Sequence, residues 1–401
     1  MSLDLVPWDS CNLRCPFCYA TDGHGQPPDW ERTRATLEWA FAPGGCNHPE
    51  TGGGKRHITI YGGEPLLHWE EFKRIVEWAK SRAAADGKPI SVSTVSNMTT
   101  MTAEKMAYLV ENKIPVNPSI DGCEAAHNAG RVFPDGSGSF EATIRGAKIL
   151  CEARPGRAVR GTVSPDNVRW MAAGVRYLHE DMGFSTVNLV QASGATWTPE
   201  SLEIYDQQIA AVSDWYIRTI RRNPKTRLRL YHLRNAWRMM ETARTGRRWS
   251  MCGLSKRRVA VDTLGNVWPC HRFANPRADK RWMLGTLKDG WTNPALLDAV
   301  KRFDFKRNQE NRKECQACPL RDKCTPACWA EIVADGEWEL RDGELVLHPG
   351  HAWCHIWRAQ YREGVRVLRV LRQMRIEYPD ATTERIKKAR NHASKIVQPK
   401  T

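Results

Sequence analysis

Between Leu3 and about Val190 the chain alternates short apolar runs with longer amphipathic ones, and this alternation restricts the fold more than any other feature. The short runs predict strands at Leu3–Val6, His57–Tyr61, Ile90–Val95, Ile114–Ile120, Val159–Val163 and Thr186–Val190. Between them, helical spacing predicts helices over Trp69–Ala85, Ala103–Asn112, Phe140–Cys151 and Asn167–Met182. Strand, helix and strand in that order pair in parallel through a right-handed crossover, so the repeated unit builds a parallel sheet. Six such strands predict an α/β fold, an open, partial (β/α)6 barrel whose chemistry lies at the carboxyl ends of the strands. Pro43–Arg56, rich in Gly and Pro, reads as a surface loop before the second strand.

The 401 residues suggest more than one domain. The reading divides them into a barrel over 1–195, a bridging helical segment over 196–250, a cysteine-rich region over 251–360 and a basic helical tail over 361–401. No run of 18 apolar residues is present, and Asp4 and Asp9 interrupt any secretory start, so a cytoplasmic protein without a membrane partner is expected. In such a reducing compartment 13 cysteines point to metal or redox use rather than to disulfides. A net charge of +15 favours acidic partners without choosing among nucleic acid, phosphate-rich ligands and acidic peptides, and a merely basic surface explains it equally. Residues 355–401 carry +8 of it. There Arg362, Arg366, Arg369 and Arg375 lie near helical spacing, with Val365, Leu368 and Leu371 available for a packed face.

Cys11, Cys15 and Cys18 follow the first strand directly, in Cys-Asn-Leu-Arg-Cys-Pro-Phe-Cys-Tyr. Three thiolates on one short loop can hold three irons of a [4Fe–4S] cube and leave the fourth iron open to a ligand. A zinc knuckle completed by a residue such as His24 is the alternative, weakened because no matching pair follows locally. Gly62-Gly63-Glu64-Pro65 ends the second strand. Its glycines permit close backbone approach, and its carboxylate suits an ammonium group. The spacing C-x3-C-x2-C, with the aromatic Phe17 before the last cysteine, resembles the radical S-adenosylmethionine superfamily. The resemblance implies that the open iron takes the methionine end of S-adenosylmethionine, whose reductive cleavage yields a hydrogen-abstracting 5′-deoxyadenosyl radical. It implies cofactor contacts from Gly62, Gly63, Glu64 and Pro65, from Ser96 and Asn97 after the third strand, and from Ser119 and Asp121 after the fourth. It further implies Arg131 on a carboxylate, and Leu189 and Val190 beside the adenine.

A second set comprises Cys252, Cys270, Cys315, Cys318, Cys324, Cys328 and Cys354. Seven thiols at these spacings can hold two more clusters, with a zinc ribbon over Cys315–Cys328 as the alternative. The arrangement resembles the SPASM extension of peptide-modifying radical enzymes. That resemblance implies an outer cluster on Cys315, Cys318, Cys324 and Cys354, and an inner one on Cys252, Cys270 and Cys328 that lacks a fourth cysteine. Cys46, Cys123 and Cys151 remain as buried or loop thiols.

The expected cofactors are thus S-adenosylmethionine and three [4Fe–4S] clusters, one catalytic and two auxiliary. The expected substrate is a precursor peptide, modified by thioether, carbon–carbon or carbon–oxygen crosslinking, dehydrogenation or epimerisation. A dehydrogenase or epimerase of a small molecule such as an aminocyclitol is the alternative. Sulfatase maturation ranks lower, because His271 stands where those enzymes carry an Asp read as a base; His271 itself is the candidate catalytic residue. The expected partner is an electron donor such as flavodoxin or ferredoxin; since Cys11 leaves no room for an amino-terminal leader-binding domain, any leader is expected to dock elsewhere or through a separate leader-binding protein. Nucleic acid is not expected.

Overall fold

The computed structural model describes residues 2–21, 25–46, 56–246, 258–275, 278–324, 328–334 and 336–378. His24, Cys252 and most of the basic tail lie outside these residues.

The six expected strands form: β1 (Ser2–Leu5), β2 (Arg56–Ile60), β3 (Ile90–Ser96), β4 (Val116–Pro118), β5 (Ala158–Val163) and β6 (Thr186–Gln191). β1 to β4 pair in parallel in sequence order, as do β5 and β6. A bridge from Ser119 to Arg160, with the Ile120 N–H on the Arg160 carbonyl at 2.9 Å, carries the order from β4 to β5. The ladder of β4 is shorter than the apolar run Ile114–Ile120, because Pro115 and Pro118 have no N–H to donate.

β7 (Arg229–Leu230) extends the β6 edge, and the sheet also grows beyond β1. There β8 (Arg258–Val261) pairs in parallel with β1, followed by antiparallel β9 (Asn266–Trp268) and β10 (Gly285–Thr286). The cysteine-rich region therefore begins as a continuation of the barrel sheet; its expected start at 251 falls outside the described residues. A hairpin of β11 (Glu337–Arg341) and β12 (Glu344–His348) stands apart from that sheet.

Strand alternation divides the barrel into two unlike faces. Leu3, Leu5, Ile58, Ile60 and Val92 turn outward into an apolar core shared with the helices Trp30–Phe41 and Trp69–Ala85. Asp4, His57, Thr59, Ser91 and Ser93 take the inner positions, where His57 meets Ser91 and Ser93 at 2.7 and 2.8 Å. A parallel sheet covered on both faces would read as continuously apolar. This one keeps a polar interior.

Trp69–Ala85 forms the helix its spacing predicts, with Glu70 and Glu71 in the first turn and Phe72, Ile75, Val76 and Ala79 buried. The bridging segment is two helices, Pro199–Arg222 and Tyr231–Thr245. The first starts at a reciprocal cap between Thr198 and Ser201, with proline at its first position. A long helix, His351–Gln373, packs on both and buries Val367, Leu368 and Leu371, whereas Val365 is half-buried. Two of its arginines find partners within the chain: Arg362 lies 3.3 Å from Asp206, and Arg366 lies 2.6 Å from Asp214. Arg369, Arg372 and Arg375 of the same stretch are exposed. Among the described residues no helix is long and apolar enough to cross a membrane.

Candidate active site

The chain leaves β1 as Val6-Pro7-Trp8-Asp9-Ser10 and enters the first cysteine loop over the carboxyl end of the barrel. The turn after β2 lies against it without a gap. A Cβ on Gly62 would stand 2.3 Å from the Trp8 carbonyl oxygen, and one on Gly63 would stand 2.1 Å from that of Ser10. Only glycine fits both, and Gly62 also takes a φ of +141°. The Glu64 N–H then donates to the Ser10 carbonyl at 3.1 Å, and the Trp8 indole donates to the Glu64 carbonyl at 3.2 Å. Gly62–Pro65 therefore holds the approach to the cysteine loop.

The Glu64 carboxylate is tied to the chain by its own hydrogen bonds. It is buried, accepting from the Leu66 N–H at 3.0 Å and the Asn97 N–H at 2.7 Å, and Ser96 adds a side-chain contact. It braces the turn after β3. The same turn binds Asn97 to the cysteine loop: its Nδ2 lies 3.0 Å from Asn12 Oδ1 and 3.9 Å from Cys11 Sγ. Ser96 Oγ accepts from the Met98 N–H at 2.9 Å, so Ser96 and Asn97 support the cysteine loop through the chain's own bonds. Ser119 acts through its backbone, donating to the Ser96 carbonyl at 2.8 Å.

Glu64→Ala strands two buried amide donors, each costing about 1–3 kcal/mol when unsatisfied. The expected result is a lower anaerobic unfolding temperature together with weaker S-adenosylmethionine binding. Weaker binding with an unchanged melt would return the carboxylate to direct cofactor contact.

Arg131 is also committed within the chain. Its Nε and one Nη donate to the two oxygens of buried Asp121, at 2.8 and 2.9 Å, and the Thr162 N–H donates to Asp121 Oδ1 at 2.7 Å. The fork expected to hold a cofactor carboxylate thus holds Asp121. The guanidinium centre lies 5.4 Å from the Phe17 ring centre, and it stands beside Cys15. Leu189 is corrected likewise: it packs in the outer helical layer beside Met171 and Ile209, while Val190 is buried on the inner face.

The three thiols of the first loop interact with one another. Burial, with Glu64 nearby, pushes Cys11 up to about 12, and burial pushes Cys15 up to about 11 against the pull of Arg131. Cys315, Cys318 and Cys354 form a second group, flanked by Arg312 and Arg358. Arg272 interacts with both Cys270 and Cys328. None of the twelve described cysteines is in a disulfide. Among the described residues no three His, Cys, Asp or Glu side chains close on a point that would hold a single metal ion. A four-iron cube instead needs thiolates set around a body, and soft donors beside buried cations suit that anionic group. Cys11, Cys15 and Cys18, three soft donors on one loop, are a donor set of the kind such a group takes. Cys46 is buried in the apolar core, Cys123 borders Tyr177 and Cys151 lies on the helix Phe140–Ala153.

His271 lies inside the barrel. Its Nδ1 is 2.8 Å from Asp4 Oδ2, and its ring stacks on Tyr61 at 3.7 Å with 12° between planes. Asp4 in turn faces Arg258 at 3.1 Å. Burial pulls His271 below its ordinary value against the opposing effect of Asp4, which leaves a neutral imidazole oriented by a carboxylate. Asp4 and Tyr61 are site residues that the sequence reading missed. The available signal was an acidic side chain at an inner position between two core leucines.

Above the barrel a cavity of about 960 Å³ opens between Phe17–Tyr19 of the cysteine loop, the loops after β5 and β6, and the cysteine-rich region. Phe273, Trp282 and Trp338 line the far wall, with ring centres 4.5 and 4.1 Å apart.

Comparison with known proteins agrees with this architecture. A cysteine-type anaerobic sulfatase-maturating enzyme of Clostridium perfringens is 24% identical over 342 residues, 82% of this chain and 88% of that one. An uncharacterised protein of Methanothermobacter thermautotrophicus is 29% identical over 145 residues, which are 36% of this chain and half (50%) of that one. The solved structure of native anSMEcpe with bound AdoMet and the Cp18Cys peptide superposes with a TM-score of 0.69 at 18% identity, covering 93% of this chain and 99% of that one. Streptococcus suis SuiB bound to its precursor peptide SuiA superposes at 0.51 and 14% identity, covering 83% of this chain and 72% of that one. The model of the Radical SAM superfamily matches residues 5–168, which run from the last residue of β1 through β5 and include the three-cysteine loop and Gly62–Pro65. Residues 5–168 of this chain are a radical SAM superfamily domain.

Proposed function

We propose that the chain is a radical S-adenosylmethionine enzyme that modifies a ribosomally made peptide through hydrogen abstraction. The carrying observation is the cavity of about 960 Å³ that opens directly beside Cys18, with further cysteines in the region that forms its far side. That volume lies at the upper end for small-molecule sites and admits a peptide segment. Proteins of this superfamily bind S-adenosylmethionine and a [4Fe–4S] cluster, which together supply the hydrogen-abstracting 5′-deoxyadenosyl radical.

In this reading Cys11, Cys15 and Cys18 hold the catalytic cluster. Cys315, Cys318, Cys324 and Cys354 hold an outer auxiliary cluster, and Cys252, Cys270 and Cys328 an inner one. The Gly62–Pro65 turn, Asn97 and the inner face at Val190 border the cofactor. His271, held at Nδ1 by Asp4, is the side chain positioned to accept a proton on the inner side. An electron donor such as flavodoxin or ferredoxin serves the clusters. Peptide-bound anSMEcpe and SuiB support a peptide substrate by likeness of fold, which is analogy. The cysteine-type anaerobic sulfatase-maturating enzyme of Clostridium perfringens, matched along 88% of its length, also favours a second reading, sulfatase-type dehydrogenation of a Cys residue.

The test is anaerobic turnover of short peptides encoded beside the gene and of a sulfatase-type Cys peptide, read by mass spectrometry. A loss of two hydrogens, or solvent deuterium at one α-carbon, formed together with 5′-deoxyadenosine, is the expected result. Conversion of the sulfatase-type peptide alone selects the second reading. Turnover of a small cyclitol with every peptide untouched refutes both.

A further inference from the structure

Arg272 is the second residue after Cys270, and its guanidinium meets three other segments of the chain. One Nη lies 2.7 Å from Ser193 Oγ in the loop after β6 and 3.0 Å from Glu331 Oε1. The guanidinium centre is 5.2 Å from the Tyr19 ring, next to Cys18. Glu331 belongs to the helix Trp329–Ala334, and its N–H donates to the Cys328 carbonyl at 3.1 Å. The side chains of Arg272 and Glu331 are 11% and 3% exposed, so neither charge is well screened. Arg272 stands beside the thiols of both Cys270 and Cys328, and Glu331 stands beside Cys328.

Two opposite, buried charges therefore act on these thiols, Arg272 on both and Glu331 on Cys328. A buried ion pair is a poor source of stability, since desolvation offsets most of the attraction. An anionic redox group responds strongly to such charges, because each added electron deepens its negative charge. A cation beside it stabilises the reduced form, and a carboxylate beside it stabilises the oxidised form.

We propose that Arg272 and Glu331 set the reduction potential of the iron–sulfur group held by Cys270 and Cys328, Arg272 raising it and Glu331 lowering it. The proposal rests on the reading of these thiols as cluster ligands. Arg272 also touches the Tyr19 ring and lines the cavity, so the charge that tunes this group lies between the catalytic loop and the auxiliary site.

The experiment is potentiometric titration, followed by electron paramagnetic resonance, of the anaerobically reconstituted full chain. The signal lost in Cys270→Ala/Cys328→Ala identifies the group. At a fixed potential Arg272→Met is expected to lower its reduced-to-oxidised ratio roughly tenfold, about 59 mV for a one-electron couple. Glu331→Gln, which removes charge at nearly constant shape, is expected to raise the ratio, and Arg272→Lys to stay near the parent. Opposite signs in the two neutralising variants distinguish tuning from a packing defect, and Glu331→Gln carries the test where Arg272→Met fails to fold. An unmoved potential with iron content retained, or shifts of the same sign, overturns the proposal while leaving the cluster assignment intact. No loss of iron in the double cysteine variant overturns the assignment, and the proposal with it.

Discussion

Replacing Cys11, Cys15 and Cys18 together by alanine is expected to abolish S-adenosylmethionine cleavage and to remove about four irons per chain. The whole effect falls on one loop. The three thiols act on one another, and Asn97 and Asn12 tie the loop to the turn after β3. Cys315, Cys318 and Cys354 form their own group with their own arginines, so the irons assigned there should remain. Anaerobic iron analysis and the yield of 5′-deoxyadenosine give both readings on the same sample. Cleavage persisting in the triple variant would place the catalytic cluster elsewhere. Loss of all iron would show that the sets do not load independently.

What could be read in the sequence follows from what a pattern of residues encodes. Trp69–Ala85 is a helix over the residues its spacing predicts, because amphipathic period, acidic start and basic end agree. The fourth strand is shorter than its apolar run, because hydropathy does not register that Pro115 and Pro118 cannot donate. The cysteine loop and the glycine turn were legible, since close approach and thiol ligation demand particular residue types at fixed spacing. The polar partners were not. Asp4 and His271 meet across 267 positions of chain, and only the β8–β1 pairing brings them together. Glu64 and Arg131 were identified as charges that matter, but charge alone does not reveal what it faces. Each has partners within the chain that spacing does not encode.

Arg131→Met is accordingly expected to be among the most destabilising single changes in the barrel. It leaves Asp121, whose side chain is 0% exposed, with one backbone donor and no cation. Removing one partner of a buried pair costs roughly 3–5 kcal/mol, while replacing both by apolar residues of similar size is often near neutral. The double variant Asp121→Leu/Arg131→Met should therefore recover much of the loss in anaerobic denaturant titrations. The thiol loop supplies a second readout. Arg131 stands beside Cys15 and over Phe17, and its positive charge favours the thiolate that iron requires. The double variant should then fold and still load the first cluster poorly, with fewer irons per chain than the parent. A single variant that loses under 1 kcal/mol would show that Asp121 finds other partners. A double variant that regains both stability and full iron would confine Arg131 to holding Asp121, with no part in the cluster site.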